Sequence, residues 1–376
     1  MTVPAERPPA ERPATGRPGP RPAPAEAMLR RLVEIPSPSG GEADLARHLL
    51  GELPGWGFTA HLDEVGNVVA RRGDPGAPMI MLVGHLDTVP GTLPVRQEGS
   101  RLYGRGTVDA KGPLATMIAA AAAAPLDGVQ VAVVGVVEEE TFGKGATHLA
   151  TTLRPDALVV GEPNGWDGIG IGYKGRVVIR YAVSRPPAHT AGAQEKAGEA
   201  ALAFVGAVTA YCAAAEGERV FDRPVPTLVR MSATTEHAAL TLAVRTPPDF
   251  DLPALERMLA VAADGATLTI VDRTPAVRLD PGNPVARALR AAVRGRGGRP
   301  RLKVKTGTAD LNILQPAWQV PAAVYGPGDS ALDHTDDEHL DLAEFATAID
   351  VLRDAIGHLA AELRPAPAEA PDDPQQ

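Results

Sequence analysis

Residues 79–91, MIMLVGHLDTVPG, and residues 104–124, GRGTVDAKGPLATMIAAAAAA, decide how this chain folds. Met79 to Val83 is a short continuous apolar run, the pattern of a parallel strand covered on both faces. It ends in His85 and Asp87, which lie two apart and so share one side of an extended chain. Asp109 follows inside a glycine-rich loop, and Gly112 and Pro113 open an alanine-rich helix. Strand end, carboxylate loop and helix, in that order, gather polar groups at the carboxyl end of a strand, where open α/β sheets bind ligands. A histidine and carboxylates collected there point to a metal.

Outward from this stretch the pattern repeats. Residues 129–137, VQVAVVGVV, form another continuous apolar strand and end in Glu138, Glu139 and Glu140, with a short helix opening near Gly143. Asp156 to Val160 is a third buried strand, ending in Gly161-Glu162-Pro163. Upstream, residues 26–53 read as helix broken at 35–41, and residues 58–72 as two short strands. Alternating elements of this kind predict an α/β fold, a mostly parallel sheet covered by helices. Near residue 173 the character changes. RVVIRYAV, residues 176–183, alternates as a half-exposed antiparallel strand does. Helices at 194–215 and 251–263 and strands at 225–245 and 266–273 complete a βαββαβ-like α+β unit. The first pattern then resumes with a helix at 284–294, a strand at 301–305, a helix from Ala309, a strand at 320–325 and a last helix ending near 363. The expected organisation is a catalytic domain in two pieces, 26–173 and 278–363, and an inserted lid or dimerisation domain at 174–277. Proline-rich tails at 1–25 and 364–376 read as disordered.

Composition narrows the function classes. A chain of 376 residues suggests two domains. A net charge of -9 argues against nucleic acid as a partner. A single cysteine, Cys212, excludes an internal disulfide framework and fits the cytoplasm. No apolar run reaches the roughly 20 residues that span a bilayer, so no membrane role is expected. The N-terminal tail lacks the apolar segment of a signal peptide.

Three apolar strands thus end in His85, Glu139-Glu140 and Glu162, and a late loop carries Asp333-His334-Thr335. One charged residue at a strand end is ordinarily a cap or turn residue. Four such ends require another account, because buried charge must be paired or metal-bound. Two hydrolytic metals a few ångströms apart need a shared carboxylate, and Asp109 is the natural bridge. Glu139 and Glu140, adjacent in an extended segment, would face opposite ways, one binding metal and the other free to act as a base.

GHLDTVPG, GRGTVDAKGPLA, VEEETFGKGA, VVGEP and DHTDDEH resemble the successive motifs of the M20 family of co-catalytic zinc amidohydrolases. Within that family DAKGPLA, IGYKGR, KTGTADLNIL and YGPGDSALDHT are similar to the LysW-lysine and LysW-ornithine hydrolase subgroup, which releases lysine or ornithine from the C-terminal glutamate of an acidic amino-group carrier protein. The resemblance implies two zinc ions (Zn2+), with cobalt (Co2+) as a possible substitute. His85, Asp109 and Glu162 would hold one ion, and Asp109, Glu140 and His334 the other. It implies Glu139 as general base and Asp87 as the residue orienting the His85 imidazole. His189 matches a histidine that reaches a partner subunit's site, although SRPPAHTAG is a loose fit to the usual motif. The resemblance further implies an amino-acid biosynthetic role, and the alanine-rich helix 194–215 beside an alternating strand leaves a sheet edge and an apolar face for a homodimer through the inserted domain. Arg245 falls where the family has an arginine, but Ala243 replaces the acidic residue two positions before it. Arg245 is thus either a substrate contact or a strand-end surface charge. Lys174, with Tyr173, serves either a domain hinge or the substrate. Lys305, Thr306 and Thr308 either line the pocket or form a helix start capped by Thr308.

Three functions compete. The first is hydrolysis of a carrier-linked basic amino acid. The second is the same chemistry on a small N-acyl amino acid, such as N-acetylornithine or N-acetyl-lysine, or on a dipeptide. The third is a metal-free binding protein. For the first, Arg294, Arg296, Arg299, Arg301, Lys303 and Lys305 form a basic track ending at the pocket, suited to docking an acidic carrier. The plain alternative is an edge strand protected by its charges.

Overall fold

The structure, a computed structural model, describes residues 22–364. Expectations for residues 1–21 and 365–376 fall outside the described residues. The expected N-terminal tail is shorter than residues 1–25, since helix Pro22–Glu34 includes residues 22–25. Ala25, Met28, Leu29 and Leu32 recur at helical spacing and are buried, which anchors that helix.

The main sheet has nine strands. Along it lie Thr59–Leu62, Val68–Gly73, Gln130–Val136, Met79–His85, Ala157–Val160, Ala322–Val324, Gly168–Tyr173 and Val277–Arg278, with Arg301–Lys305 paired to Gly168–Tyr173. The four strands from Gln130–Val136 to Ala322–Val324 run parallel, while both flanks contain antiparallel pairs. The sheet is therefore mixed, with a parallel centre. Its apolar runs are continuous because both faces are covered. Ile80 and Leu82 enter one core with helices Pro22–Glu34, Lys111–Ala123, Pro284–Gly295 and Leu342–Leu363. Met81 and Val83 enter the other, with helices Lys144–Thr152 and Leu311–Trp318. Val131, Val133, Val159 and Ala132, Val134, Val160 divide in the same way.

Several strands escaped the sequence reading. Gly168–Tyr173, GIGIGY, is a strand although alternate glycines weaken any strand signal. The hairpin Arg96–Glu98 and Arg101–Tyr103 joins His339–Asp341 in a small separate sheet. Strands of three residues carry too little periodicity to be read.

Between Gly175 and Thr274 the chain forms its own four-stranded antiparallel sheet, in the order Val225–Ala233, His237–Thr246, Gly175–Ser184, Thr267–Thr274. Helices Ala197–Ala213 and Leu252–Ala262 contribute to a third core with Ile179, Tyr181, Phe204, Leu242 and Leu259. Both chain crossings into this unit are tied by one side chain. Asn312 Nδ2 donates to Lys174 O at 3.0 Å and to Pro275 O at 2.8 Å. Gly175 leaves no room for a side chain there, as a Cβ would lie 2.5 Å from both Thr246 Oγ1 and Thr274 O.

Candidate metal and catalytic centre

His85 closes the central strand and is almost wholly buried. Its Nδ1 lies 2.8 Å from the main-chain oxygen of Asp87, which turns Nε2 toward Asp109 Oδ1 at 3.1 Å. The Asp87 carboxylate stands farther off, 3.5 Å from Nδ1. That carboxylate instead accepts hydrogen bonds from the backbone N–H groups of Glu139 and Glu140, both at 3.0 Å, and from Ser39 Oγ at 2.7 Å. The expected orienting contact is thus made chiefly by the backbone of Asp87, while its side chain holds the glutamates.

Those glutamates are not extended. The strand ends at Val136, and Glu138 takes a left-handed φ of 59° that starts a tight turn. Gly143 N–H closes the turn on Glu138 O at 2.9 Å. Glu138 N–H donates to Glu42 Oε1 at 3.1 Å. The turn, rather than strand alternation, gives Glu139 and Glu140 their separate directions.

Asp109 lies between two histidines, with Oδ1 toward His85 and Oδ2 3.0 Å from His334 Nε2. His334, itself at φ 61°, is also 2.9 Å from Glu140 Oε1. The Asp109 loop is fixed by Glu338, whose Oε1 accepts from Val108 N–H at 2.9 Å and Asp109 N–H at 3.2 Å. Arg105 pairs with Glu338 at 2.9 Å and donates to Thr335 O at 3.0 Å, binding the loops of Asp109 and His334 together. Donor atoms of His85, Asp109 and Glu140 all lie within 4.8 Å of one another. Glu162 and Glu139 face the same cavity, about 530 Å³, with Asp333 beside them.

The electrostatics show what this donor set lacks. Burial drives Glu139 well above the usual carboxylate range, and the charges of Asp310, Glu162 and Glu140 add to it. Burial, then the charge of Asp109, does the same to Glu162. Asp333 rises to about 8 by burial and by the charge of Asp109. Burial would also raise Asp109, but hydrogen bonds with His334 and His85 hold it low. Those contacts with Asp109 and Glu140 lift His334 to about 10. Carboxylates crowded together with so little opposing charge call for a cation. Imidazole nitrogens and carboxylate oxygens, with the bridging Asp109 between them, suit a divalent metal.

The cavity is also lined by the basic residues Arg176, Arg245 and Lys305 and by Thr306 and Thr308. Arg245 Nη1 donates to Thr308 Oγ1 at 3.1 Å. Burial, and then the charge of Arg176, lowers the Arg245 pKa. Thr308 therefore serves Arg245, and helix Leu311–Trp318 starts at Asp310 without a Thr308 cap. Lys174 is fully buried and bonds Arg223 O, so its side chain supports the hinge rather than the cavity. Tyr173 lines the cavity. His189 is exposed on the loop before helix Ala197–Ala213, its Nδ1 accepting from Ala191 N–H at 3.1 Å, and it is not among the lining residues.

The basic track also resolves differently. Lys305 Nζ donates to Pro163 O and Lys303 Nζ to Asn164 O, both at 2.6 Å, and Arg301 pairs with Asp167. These three residues do share one face, and it supports the loop that follows Glu162. Arg296 pairs with Asp350 and Asp354 at 2.9 and 2.8 Å. Sequence reading missed Arg176, Glu338 and Asp310 as members of the site. Glu338 lies in the quoted DHTDDEH, but nothing local shows that it reaches back to Asp109.

Comparison with known proteins agrees with this geometry. Residues 81–358 match the model of peptidase family M20/M25/M40. A LysW-lysine hydrolase of Deinococcus radiodurans is 42% identical over 351 residues, covering 89% of this chain and 97% of the relative. A LysW-lysine/LysW-ornithine hydrolase of Saccharolobus islandicus is 32% identical over 291 residues, 76% of this chain and 82% of the relative. Among solved structures, a tripeptidase from Staphylococcus aureus superposes with a TM-score of 0.76 at 18% identity, covering 91% of this chain and 99% of that one. An M20 family metallo-carboxypeptidase from Sulfolobus solfataricus gives 0.74 at 16% identity, covering 90% and 99%. Fold, donor set and family match coincide on the same stretch of chain, which belongs to peptidase family M20/M25/M40.

Proposed function

We propose that this chain hydrolyses the amide joining a basic amino acid, lysine or ornithine, to the C-terminal glutamate of an acidic amino-group carrier protein. The observation that carries the reading is the cavity itself. Asp109, Glu140, Glu162 and His334 line it together with Glu139 and the cations Arg176, Arg245 and Lys305. The named hydrolases of carrier-linked lysine and ornithine match over most of the chain. A volume of about 530 Å³ lies within the ordinary range of ligand pockets, about 300 to 1,000 Å³.

Two zinc ions, one on His85, Asp109 and Glu162 and one on Asp109, Glu140 and His334, would supply Lewis acidity and bring the pKa of water toward about 7. Glu139 accepts a proton from the attacking water and returns it to the leaving amine nitrogen. Its turn is kept in place by the Glu139 and Glu140 N–H groups, which donate to the Asp87 carboxylate. Arg245 attracts a carboxylate of the substrate, and Thr308 orients the Arg245 guanidinium. The inserted unit closes over the substrate and also pairs two subunits. Edge strand Val225–Ala233, with Leu228 and Val229 exposed, is the surface available for pairing, and His189 then serves the partner's cavity. The working compartment is the cytoplasm. No helix among the described residues is long and apolar enough to cross a membrane.

The test is hydrolysis of carrier-linked lysine and ornithine beside their free N-acetyl forms, with and without a chelator. Metal-dependent release from the carrier, with slow turnover of the acetyl compounds, is the expected result. Preference for the acetyl compounds would move the assignment to small N-acyl amino acids. Activity unaffected by thorough chelation would remove the metal from the reading.

A further inference from the structure

We propose that Arg176 is a positioning residue: from the inserted sheet it holds the turn that carries Glu139 and Glu140, so that the placement of the inserted unit sets the aim of the base. The inference rests on the reading of Glu139 as that base. Arg176 is the second residue of strand Gly175–Ser184, directly opposite Arg245 on one neighbouring strand and Thr274 on the other. Its Nε donates to Asp272 Oδ2 at 2.6 Å. The Asp272 carboxylate is itself fixed, accepting from Thr274 Oγ1 at 3.0 and 3.2 Å, at a point where the strand register shifts. With Nε held, the guanidinium plane has one orientation, and Nη2 donates to Thr141 O at 3.3 Å.

Thr141 follows Glu140 directly, within the turn that Glu138 begins. The other anchors of this turn come from the main sheet and its loops, Asp87 for the N–H groups of Glu139 and Glu140 and Glu42 for that of Glu138. Arg176 is the polar anchor that crosses from the inserted sheet. Arginine suits the task because its planar fork bonds a carboxylate and a carbonyl at once in a fixed relative geometry. The opposing Arg245 bonds Thr308 instead and, among the described residues, has no carboxylate as a hydrogen-bond partner. Two adjacent arginines thus divide two tasks, one facing the ligand and one holding the catalytic turn. When the inserted unit tilts away, Thr141 O loses its donor and the turn keeps only its anchors from the main sheet.

The test uses the intact metal-loaded enzyme and three variants, Arg176→Gln, Asp272→Asn and the double substitution. Arg176→Gln should lower kcat on the order of 10- to 100-fold, the cost of a misplaced reacting group. KM should stay within about 3-fold, since uniform substrate binding is not what is lost. Metal content should be unchanged, and amide hydrogen exchange over residues 137–143 should quicken. Asp272→Asn should give a smaller loss of the same kind, and the double variant should be no worse than Arg176→Gln alone, because the two residues act as one unit. Unchanged exchange over 137–143, a rise in KM without a fall in kcat, or additive losses would each overturn the proposal. The exchange measurement needs no substrate, so it decides this point even if none of the tested amides is hydrolysed, an outcome that would instead defeat the proposed function.

Discussion

Two groups of charged residues meet near the same cavity and are treated in opposite ways. The basic residues of 294–305 looked in sequence like a track for a partner. In the fold Arg296 and Arg301 are paired with Asp350, Asp354 and Asp167, and Lys303 and Lys305 cap carbonyls of the loop after Glu162. The acidic residues Asp109, Glu139, Glu140, Glu162 and Asp333 converge on one cavity with His334, and burial raises the proton affinity of several of them. A charge already answered by its own chain is structural. A buried charge left facing a cavity is available for chemistry. The number of charges in a segment does not separate these cases, whereas their partners do.

The sharpest way to break this contrast is Glu139→Ala. Removing this carboxylate, which has no assigned metal, should lower kcat by about 10²- to 10⁴-fold, the usual worth of acid-base catalysis, with metal content retained. Near-normal turnover would show that the acidic wall only binds metal. A smaller effect should follow from Asp87→Asn. The amide presents an NH₂ where the carboxylate now accepts from Glu139 N–H or Glu140 N–H, and activity or metal affinity should fall by about 10- to 100-fold, as supporting hydrogen-bond losses do. A variant matching the parent protein in both assays would reduce Asp87 to a backbone partner of His85. The smallest effect is expected on the basic side. Arg296→Glu with Arg301→Glu breaks exposed pairs worth no more than about 1 kcal/mol each, and should leave KM for carrier-linked and acetyl substrates changed alike. A rise confined to the carrier-linked substrate, shrinking as salt shortens the Debye length below about 8 Å, would restore the docking role and undo the contrast.

Much of the fold was legible because its signals are local. Residues 79–83, 131–137 and 157–160 are continuously apolar since the two covering layers bury both faces, and their ends carry the donors that the cavity collects. Where the local signal was weak the reading failed. GIGIGY hid a strand behind glycines, and the segment Arg96–Glu98 was too short to show a period. The glutamates were read as extended because strand alternation was extrapolated one turn too far, past the left-handed Glu138.

The sequence by itself determined the residue types of the metal-type donor set, their order along the chain and the layered sheet that presents them, because periodicity and strand ends are properties of neighbouring residues. Only the tertiary structure decided how those residues are held and which charges stay free. Asp87 reaches the Glu139 turn across 52 residues, Glu338 reaches the Asp109 loop across 229, and Arg176 reaches Asp272 across 96. Such contacts leave no periodic trace in the chain. They arise when buried polar groups, cut off from water by the packed layers, must find partners within the protein.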